Sequence, residues 1–166
     1  MPQMSEPASP DDTVSAESRG HSSATRRVLF LCTHNSSRSQ MAEGFLRVHG
    51  GERYAAFSAG TRPGGIHPLA IRAMAEVGID ISAAAGHASK GLDSYLGQPF
   101  DLVVTVCDSA AEECPYFPGA RRQEHWGFPD PSAVAGSEDE RLAAFRQARD
   151  AIGACVDAFL AAYRAS

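Results

Sequence analysis

Cysteine is scarce in this sequence, and its scarcity excludes one class of fold. The 166 residues include four cysteines, at the dispersed positions Cys32, Cys107, Cys114 and Cys155. Small secreted domains that rely on disulfide bonds carry more cysteines at closer spacing. We therefore expect a reduced compartment, the cytoplasm, in which any functional thiol takes part in chemistry.

Long apolar runs and excess positive charge are missing as well. No apolar run approaches the roughly 18 residues that a membrane-spanning helix needs. The net charge is -5, whereas general nucleic-acid binders usually carry a basic surface. No group of histidines and cysteines has the spacing of a zinc site. We therefore expect neither a membrane nor a nucleic-acid partner, and the 43% hydrophobic content is typical of a globular protein.

The first 25 residues differ in composition from the rest of the chain. They are rich in serine and proline, and Met1, Met4 and Val14 are their only large apolar residues. Such a segment cannot bury enough apolar surface to offset the entropy lost on ordering. We predict a disordered N-terminal tail over residues 1–25 and one folded domain over residues 26–166.

Apolar patterning in the domain predicts strands that alternate with helices. Residues 28–31 and 102–106 are continuous apolar runs, as in strands buried on both faces of a parallel sheet. Further strands are predicted over residues 54–58 and 123–126. This alternation predicts a single-domain α/β fold with a central, four-stranded, mostly parallel sheet flanked by helices.

Three segments carry apolar residues at helical spacing. The first follows residue 38, and the second begins at Pro68 and ends at Gly78. The third is long and starts where Ser137 and Glu140 have capping-box spacing. Their predicted apolar faces contain, in turn, Met41, Phe45 and Val48; Ile71, Met74 and Ala75; and Leu142, Phe145, Ile152, Val156, Phe159 and Tyr163.

The segment between the first strand and the first helix has the residues of an oxyanion site. Cys32 is followed by five residues, then Arg38 and Ser39. A short loop can direct several backbone N–H groups at one point, and the next helix adds its positive end. Arg38 can grip two anion oxygens, while the same field favours a thiolate at Cys32. This anion loop (residues 32–39) should bind an oxyanion through Thr33, His34, Asn35, Ser36, Ser37, Arg38 and Ser39.

A family resemblance extends this interpretation. Residues 28–47, VLFLCTHNSSRSQMAEGFLR, resemble the low-molecular-weight protein tyrosine phosphatases and, more closely, the thioredoxin-coupled arsenate reductases that share their fold. The phosphatases usually have proline at the position of Gln40 and a second cysteine at that of Ser37. The resemblance implies reduction of arsenate to arsenite by a monomer that takes its electrons from thioredoxin and holds no bound cofactor.

The resemblance also implies roles for two more cysteines and one aspartate. In the resembling reductases, a thiol placed as Cys107 attacks the arsenic adduct on the first cysteine and releases arsenite. A thiol placed as Cys114 then attacks the resulting disulfide. Asp130 is by resemblance the general acid that protonates the leaving oxygen. Cys155 lies beside the apolar face of the last helix, and we expect it to pack in the core.

The spacing of the second and third of these cysteines has a geometric consequence. Seven residues along a helix separate two Cα atoms by about 10.5 Å, whereas a disulfide needs roughly 4.4–6.8 Å. If residues 108–114 are helical in the reduced protein, a Cys107–Cys114 bond must unwind or loop out that helix. We expect oxidation to lower the helicity of this segment and expose the disulfide to thioredoxin.

Some members of the resembling family carry a potassium site. Asn35, Glu43 and Ser58 match three of its side chains, but its aspartate falls on His87. The sequence therefore assigns no metal site, and potassium stays an alternative that the histidine at position 87 disfavours.

Two other functions compete with the reductase. A phosphatase would use Cys32, Arg38 and Asp130 through a phosphocysteine, and it would not need Cys107 and Cys114. A non-catalytic anion-binding module would bind an oxyanion without turning it over. Glutaredoxin or a small thiol is the alternative electron donor.

Overall fold

The protein is described by a computed structural model over residues 25–108 and 116–165. Its four strands are β1 (Arg26–Cys32), β2 (Tyr54–Gly60), β3 (Leu102–Thr105) and β4 (Gln123–His125). All pair in parallel, in the order β2-β1-β3-β4. The predicted α/β class with a four-stranded sheet is confirmed, and β2 continues two residues beyond its predicted end.

Three helices flank the sheet: α1 (Arg38–Gly50), α2 (Pro68–Ala75) and α3 (Glu138–Ala165). The predicted capping box is present before α3, where the Glu140 N–H donates to Ser137 Oγ at 3.1 Å. The Ser137 N–H in turn donates to Glu140 Oε1 at 2.8 Å. These two bonds satisfy N–H groups at the helix start that have no intrahelical partner.

Both faces of the sheet are buried, which explains the continuous apolar run of β1. Val28, Phe30 and Cys32 belong to the larger core, which all three helices cover. Leu29 and Leu31 belong to a smaller core on the opposite face. Alternate residues of a strand point to opposite faces, so a strand between two cores needs apolar side chains at every position.

Two predicted helix faces differ from those in the structure. Val48 is 56% exposed because it lies in the last turn of α1, where residues 47–49 are all exposed. Helix α2 buries Leu69, Ala70, Ala73 and Met74, whereas Ile71 is half-buried and Ala75 is exposed. Nearly every residue of α2 is apolar, so its buried face is determined by packing against α3 rather than by its own pattern.

Within the described ranges, no helix combines the length and the apolar character that a membrane crossing requires. Residues 1–24 lie outside the described part of the chain. The predicted tail and its boundary at residue 26 therefore remain predictions.

Candidate active site

The anion loop lies at the carboxyl edge of the parallel sheet, where α/β folds bind their ligands. Cys32 is the last residue of β1, and Arg38 is the first residue of α1. Both side chains are only 2% exposed, and Ser39 is fully buried. The strand and the helix thus fix both ends of the loop and hold its thiol and its guanidinium in the protein interior.

The backbone carbonyls of the anion loop are hydrogen-bonded to neighbouring segments. The N–H groups of Arg62, Gly64 and His67 donate to the carbonyls of Thr33, His34 and Ser36, at 2.8, 3.1 and 2.9 Å respectively. The Ser89 hydroxyl also donates to the His34 carbonyl, at 3.1 Å. The C=O and N–H of one peptide unit point in opposite directions. Carbonyls held outward therefore turn the N–H groups of His34, Asn35 and Ser37 towards the centre of the loop, as an oxyanion site requires.

The Cys32 sulfur accepts hydrogen bonds from its own loop. The Asn35 N–H donates to Sγ at 3.2 Å, and Ser39 Oγ lies 2.8 Å from Sγ. The Asn35 side-chain amide donates to the same Ser39 oxygen at 2.8 Å. The Ser39 hydroxyl proton is therefore available for the sulfur. Two hydrogen-bond donors are thus directed at the sulfur of the candidate nucleophile.

Asn35 adopts a backbone conformation that most residues avoid. Its φ is 51°, and it is the one non-glycine residue with positive φ in residues 25–108 and 116–165. Asparagine tolerates this left-handed region better than most residues. Its side-chain Oδ1 accepts bonds from Gln40 Nε2 at 3.0 Å and from the Lys90 N–H at 2.7 Å. These bonds hold the turn that places the Asn35 N–H on the sulfur.

Asp130 lies beside the anion loop, as the resemblance implied. Its Oδ2 is 3.6 Å from Arg38 Nη2, and its side chain is 24% exposed. Its Oδ1 accepts the Ser132 N–H at 2.9 Å and the Ser132 hydroxyl at 2.7 Å. Arg38 Nη1 also donates to the Phe128 carbonyl at 3.1 Å. One carboxylate oxygen is thus anchored in its own turn while the other faces the anion-binding guanidinium.

Cys107 emerges at the same edge of the sheet as Cys32. Strands β1 and β3 are neighbours with Leu31 opposite Thr105, and the Val106 N–H donates to the Leu31 carbonyl at 2.9 Å. Both cysteines belong to the larger core, so they lie on one face of the sheet. Cys107 is disulfide-bonded, whereas Cys32 is a free thiol.

The third predicted relay residue, Cys114, lies in residues 109–115, outside the described part of the chain. The expected loss of helicity over residues 108–114 on oxidation therefore remains a prediction. Cys155 is a free, half-buried thiol packed against the larger core, as expected, and burial raises its pKa.

The side chain of His34 is exposed, and its Nδ1 lies 3.2 Å from the Arg62 carbonyl. Sequence alone left open whether this imidazole contacts an anion or faces solvent. The structure places the imidazole at the surface, against the segment that follows β2.

Two residues that support the anion loop were not predicted. A Cβ added to Gly60 would lie 2.5 Å from the Thr33 carbonyl oxygen, so β2 approaches the loop too closely for any side chain. His67 binds Ser36 through its backbone, and its Nδ1 accepts the Leu69 N–H at 3.0 Å. Burial lowers the pKa of His67 and favours this neutral capping imidazole. The sequence did mark Gly60 as the end of a strand and Pro68 as the start of a helix. Neither residue type, however, indicates that the adjacent chain contacts the anion loop.

No group of three or more histidine, cysteine, aspartate or glutamate side chains that could hold a metal ion occurs among the described residues. The chemistry available at this edge of the sheet is therefore that of a buried nucleophilic thiol, an oxyanion cradle, a facing carboxylate and a nearby disulfide.

Comparison with known proteins shows the family to which the chain belongs. The model of the low molecular weight phosphotyrosine protein phosphatase family matches residues 27–166. The chain therefore belongs to that family. Within it, the chain is 47% identical over 126 residues to an arsenate reductase of Bacillus subtilis, covering 76% of this chain and 88% of the relative.

Solved structures agree with this assignment. One, described as an arsenate reductase in the phosphate binding state, has a TM-score of 0.69 at 33% identity and covers 82% of this chain and 98% of its own. A thioredoxin-dependent arsenate reductase of Corynebacterium glutamicum has a TM-score of 0.55 at 25% identity and covers 87% of this chain and 72% of its own. The predicted resemblance is confirmed.

Proposed function

We propose that this protein is a cytoplasmic, monomeric arsenate reductase that converts arsenate to arsenite and is regenerated by thioredoxin. The observation that carries the proposal is the disulfide at Cys107, beside the free thiol of Cys32 at the same edge of the sheet. A hydrolytic phosphatase does not need a redox-active sulfur there. The similarity to enzymes named arsenate reductase supports the same conclusion.

The first step forms a covalent adduct. Backbone N–H groups of the anion loop and the Arg38 guanidinium hold arsenate, and the Cys32 thiolate attacks arsenic. An S–As bond forms, and an As–O bond breaks as Asp130 protonates the leaving oxygen, which departs as water. The hydrogen bonds from Asn35 and Ser39 hold the sulfur in position for the attack.

Reduction occurs when the adduct is broken. The Cys107 thiolate attacks the Cys32 sulfur, an S–S bond forms, and the electron pair of the S–As bond stays on arsenic, which leaves as arsenite. Cys114 then attacks Cys107 and frees Cys32, so that the two lost electrons reside in a Cys107–Cys114 disulfide. The thioredoxin dithiol reduces this disulfide and becomes oxidised itself, which balances the cycle without a bound cofactor.

The proposal is tested by arsenate-dependent NADPH oxidation in the presence of thioredoxin and thioredoxin reductase. We expect Cys32→Ser, Cys107→Ser and Cys114→Ser each to abolish turnover. Cys155→Ser, which removes a free thiol packed away from the anion loop, should retain wild-type activity.

Parallel assays identify the competing outcomes. Full activity of Cys107→Ser, or hydrolysis of an aryl phosphate at a rate exceeding arsenate reduction, would favour the phosphatase. Turnover with glutaredoxin and glutathione but not with thioredoxin would show that thioredoxin is not the electron donor. The molar mass of the native protein, measured by light scattering, tests whether it is a monomer.

A further inference from the structure

A buried carboxylate next to the anion loop has no part in the proposed reaction. Glu43 of α1 is 2% exposed. Its Oε1 accepts the Ser58 hydroxyl, and its Oε2 accepts a short hydrogen bond from the Arg47 guanidinium. Lys90 Nζ lies 3.9 Å from Oε1. A charge this deeply buried needs a partner of opposite sign, and the chain supplies two.

The same guanidinium begins a line of hydrogen bonds that ends at the anion loop. Arg47 Nη1 lies 3.3 Å from His87 Nε2, and His87 Nδ1 lies 3.0 Å from Gln40 Oε1. Gln40 Nε2 donates to Asn35 Oδ1 at 3.0 Å. The Asn35 side chain contacts Ser39, which contacts Cys32, so four side chains connect Arg47 to the nucleophile.

Hydrogen-bond chemistry fixes the direction of this line. An amide oxygen can only accept, so His87 Nδ1 carries the proton that bonds Gln40 Oε1. A guanidinium can only donate, so His87 Nε2 must be the unprotonated acceptor of the Arg47 bond. The ring is therefore neutral, in accord with a His87 pKa lowered by burial and by Arg47 against the raising effect of Glu43.

The family's potassium site falls on these residues, and they do not fit the ion. Asn35, Glu43, Ser58 and His87 do come together, but they offer few free oxygen lone pairs. Asn35 Oδ1 accepts two bonds, both Glu43 oxygens accept bonds, and His87 offers no oxygen. A hard monovalent or divalent cation needs several oxygen ligands with unused lone pairs. A further cation would also be repelled by Arg47 and Lys90.

We propose that Arg47, whose side chain is 44% exposed, supplies the cation of this site from the chain itself. Its guanidinium neutralises Glu43 and, through His87 and Gln40, fixes Asn35 and the anion loop, so oxyanion binding requires no added monovalent cation. Arg47 is a positioning residue, since it acts on the oxyanion through other side chains. The arsenate readout of this proposal rests on the proposed function, whereas the phosphate readout does not.

The wild-type protein provides a test that needs no variant. Phosphate affinity, measured by calorimetry, and KM for arsenate should be equal within error in potassium chloride and in tetramethylammonium chloride at matched ionic strength. A severalfold tightening in potassium would overturn the proposal. If the protein binds phosphate but does not reduce arsenate, the proposed function fails while the affinity comparison still decides the role of Arg47.

Variants test the charge itself. Arg47→Met keeps the apolar stem and removes the cation, and we expect it to weaken phosphate binding and raise KM for arsenate about tenfold, with a smaller change in kcat. Arg47→Lys should recover most of this loss, which a purely space-filling role would not predict. Arg72→Met, which removes a half-exposed arginine paired with Glu138, is the matched control and should behave as wild type. Wild-type affinity in a folded Arg47→Met protein would refute the proposal.

Discussion

At the scale of single residues, the position of the Cys32 sulfur and of the loop around it depends on two backbone features. Asn35 occupies a left-handed conformation so that its N–H reaches the sulfur. Gly60 leaves the space in which the Thr33 carbonyl turns outward. These two positions determine where the donors of the loop point, and a small displacement of the loop alters both the thiol and the oxyanion cradle.

A single methyl group at position 60 should therefore damage the site. In Gly60→Ala the new Cβ would lie 2.5 Å from Thr33 O and 2.8 Å from Asn35 N, and both are backbone atoms. Because the loop must shift, we expect kcat/KM for arsenate to fall about 100-fold. Steady-state kinetics measures the loss.

The neighbouring strand position offers a control for this substitution. A Cβ at Gly91, which is bridged to Gly60, would meet only the Pro63 ring at 3.7 Å, an ordinary contact. Gly91→Ala should keep kcat/KM within about twofold of wild type. Equal losses in the two variants would show that the effect is not transmitted through the anion loop.

The residues predicted from sequence were those whose chemistry is specific to their type. Cys32 and Arg38 are a thiol and a guanidinium in a recognisable local order, whereas Asp130 was named through the family resemblance. Gly60 was not predicted as a site residue because it acts by having no side chain. Gln40 was not predicted because its side-chain amide connects segments that are distant in the sequence. Gln40 contacts the Ala88 carbonyl 48 residues away, and no local pattern reports such a contact.

At the scale of elements, an ion cluster joins α2 to α3. Glu76, at the end of α2, accepts two bonds from Arg146 at 2.9 and 2.7 Å and one from Arg149 at 2.9 Å. The hydrogen bonds from Arg146 lower the pKa of Glu76 to about 2. A carboxyl with a lowered pKa stabilises the fold above its unfolded pKa, and this stabilisation is lost as the pH falls through the folded pKa.

Glu76→Gln should accordingly lower Tm at pH 7, and its difference from wild type should shrink as the pH falls from about 4.5 towards 2. Thermal unfolding followed by circular dichroism across this range measures the difference. Glu138→Gln removes a single exposed pair with Arg72 between the same two helices, and such pairs contribute little. A larger Tm loss for Glu138→Gln than for Glu76→Gln would contradict this account.

Element types were easier to predict than the faces of elements. The continuous apolar runs of β1 and β3 can be buried only between two cores, so their sequence indicated a central parallel strand. The predicted face of α2 was right for Met74, which is buried, but wrong for Ala75, which is exposed, because a short, almost wholly apolar helix fits a core in several orientations. Packing against α3 selects among them, and that choice depends on residues 60–80 positions away.

At the scale of the whole molecule, the anion loop connects most of the fold. Segments 60–67 and 87–90 bind its carbonyls or side chains, and the turn after β4 binds Arg38. An oxyanion that binds only when these segments are assembled must stabilise all of them together. The gain is about 2.7 kcal/mol when the ligand is present at 100 times its Kd.

Phosphate should therefore raise Tm in a concentration-dependent manner that follows this linkage relation. Arg38→Lys loses the two-pronged grip on the anion and should show a much smaller shift at the same phosphate concentration. Differential scanning calorimetry with a phosphate titration measures both proteins. An undiminished shift in Arg38→Lys would mean that phosphate stabilises the fold from another place.

The pairing of β1 with β3 fixes the distance between the two segments that carry Cys32 and Cys107. Neighbouring strands lie about 4.8 Å apart, and alternate residues point to opposite faces. With Leu31 opposite Thr105, Cys32 lies level with Val106, and Cys107 follows one residue later, beyond the end of β3. Strand alternation alone would place Cys107 on the opposite face from Cys32, yet Val106 and Cys107 both pack in the larger core that contains Cys32. The backbone therefore leaves strand geometry immediately after β3, and this change of direction brings the second sulfur of the proposed relay to the side of the sheet that carries the first.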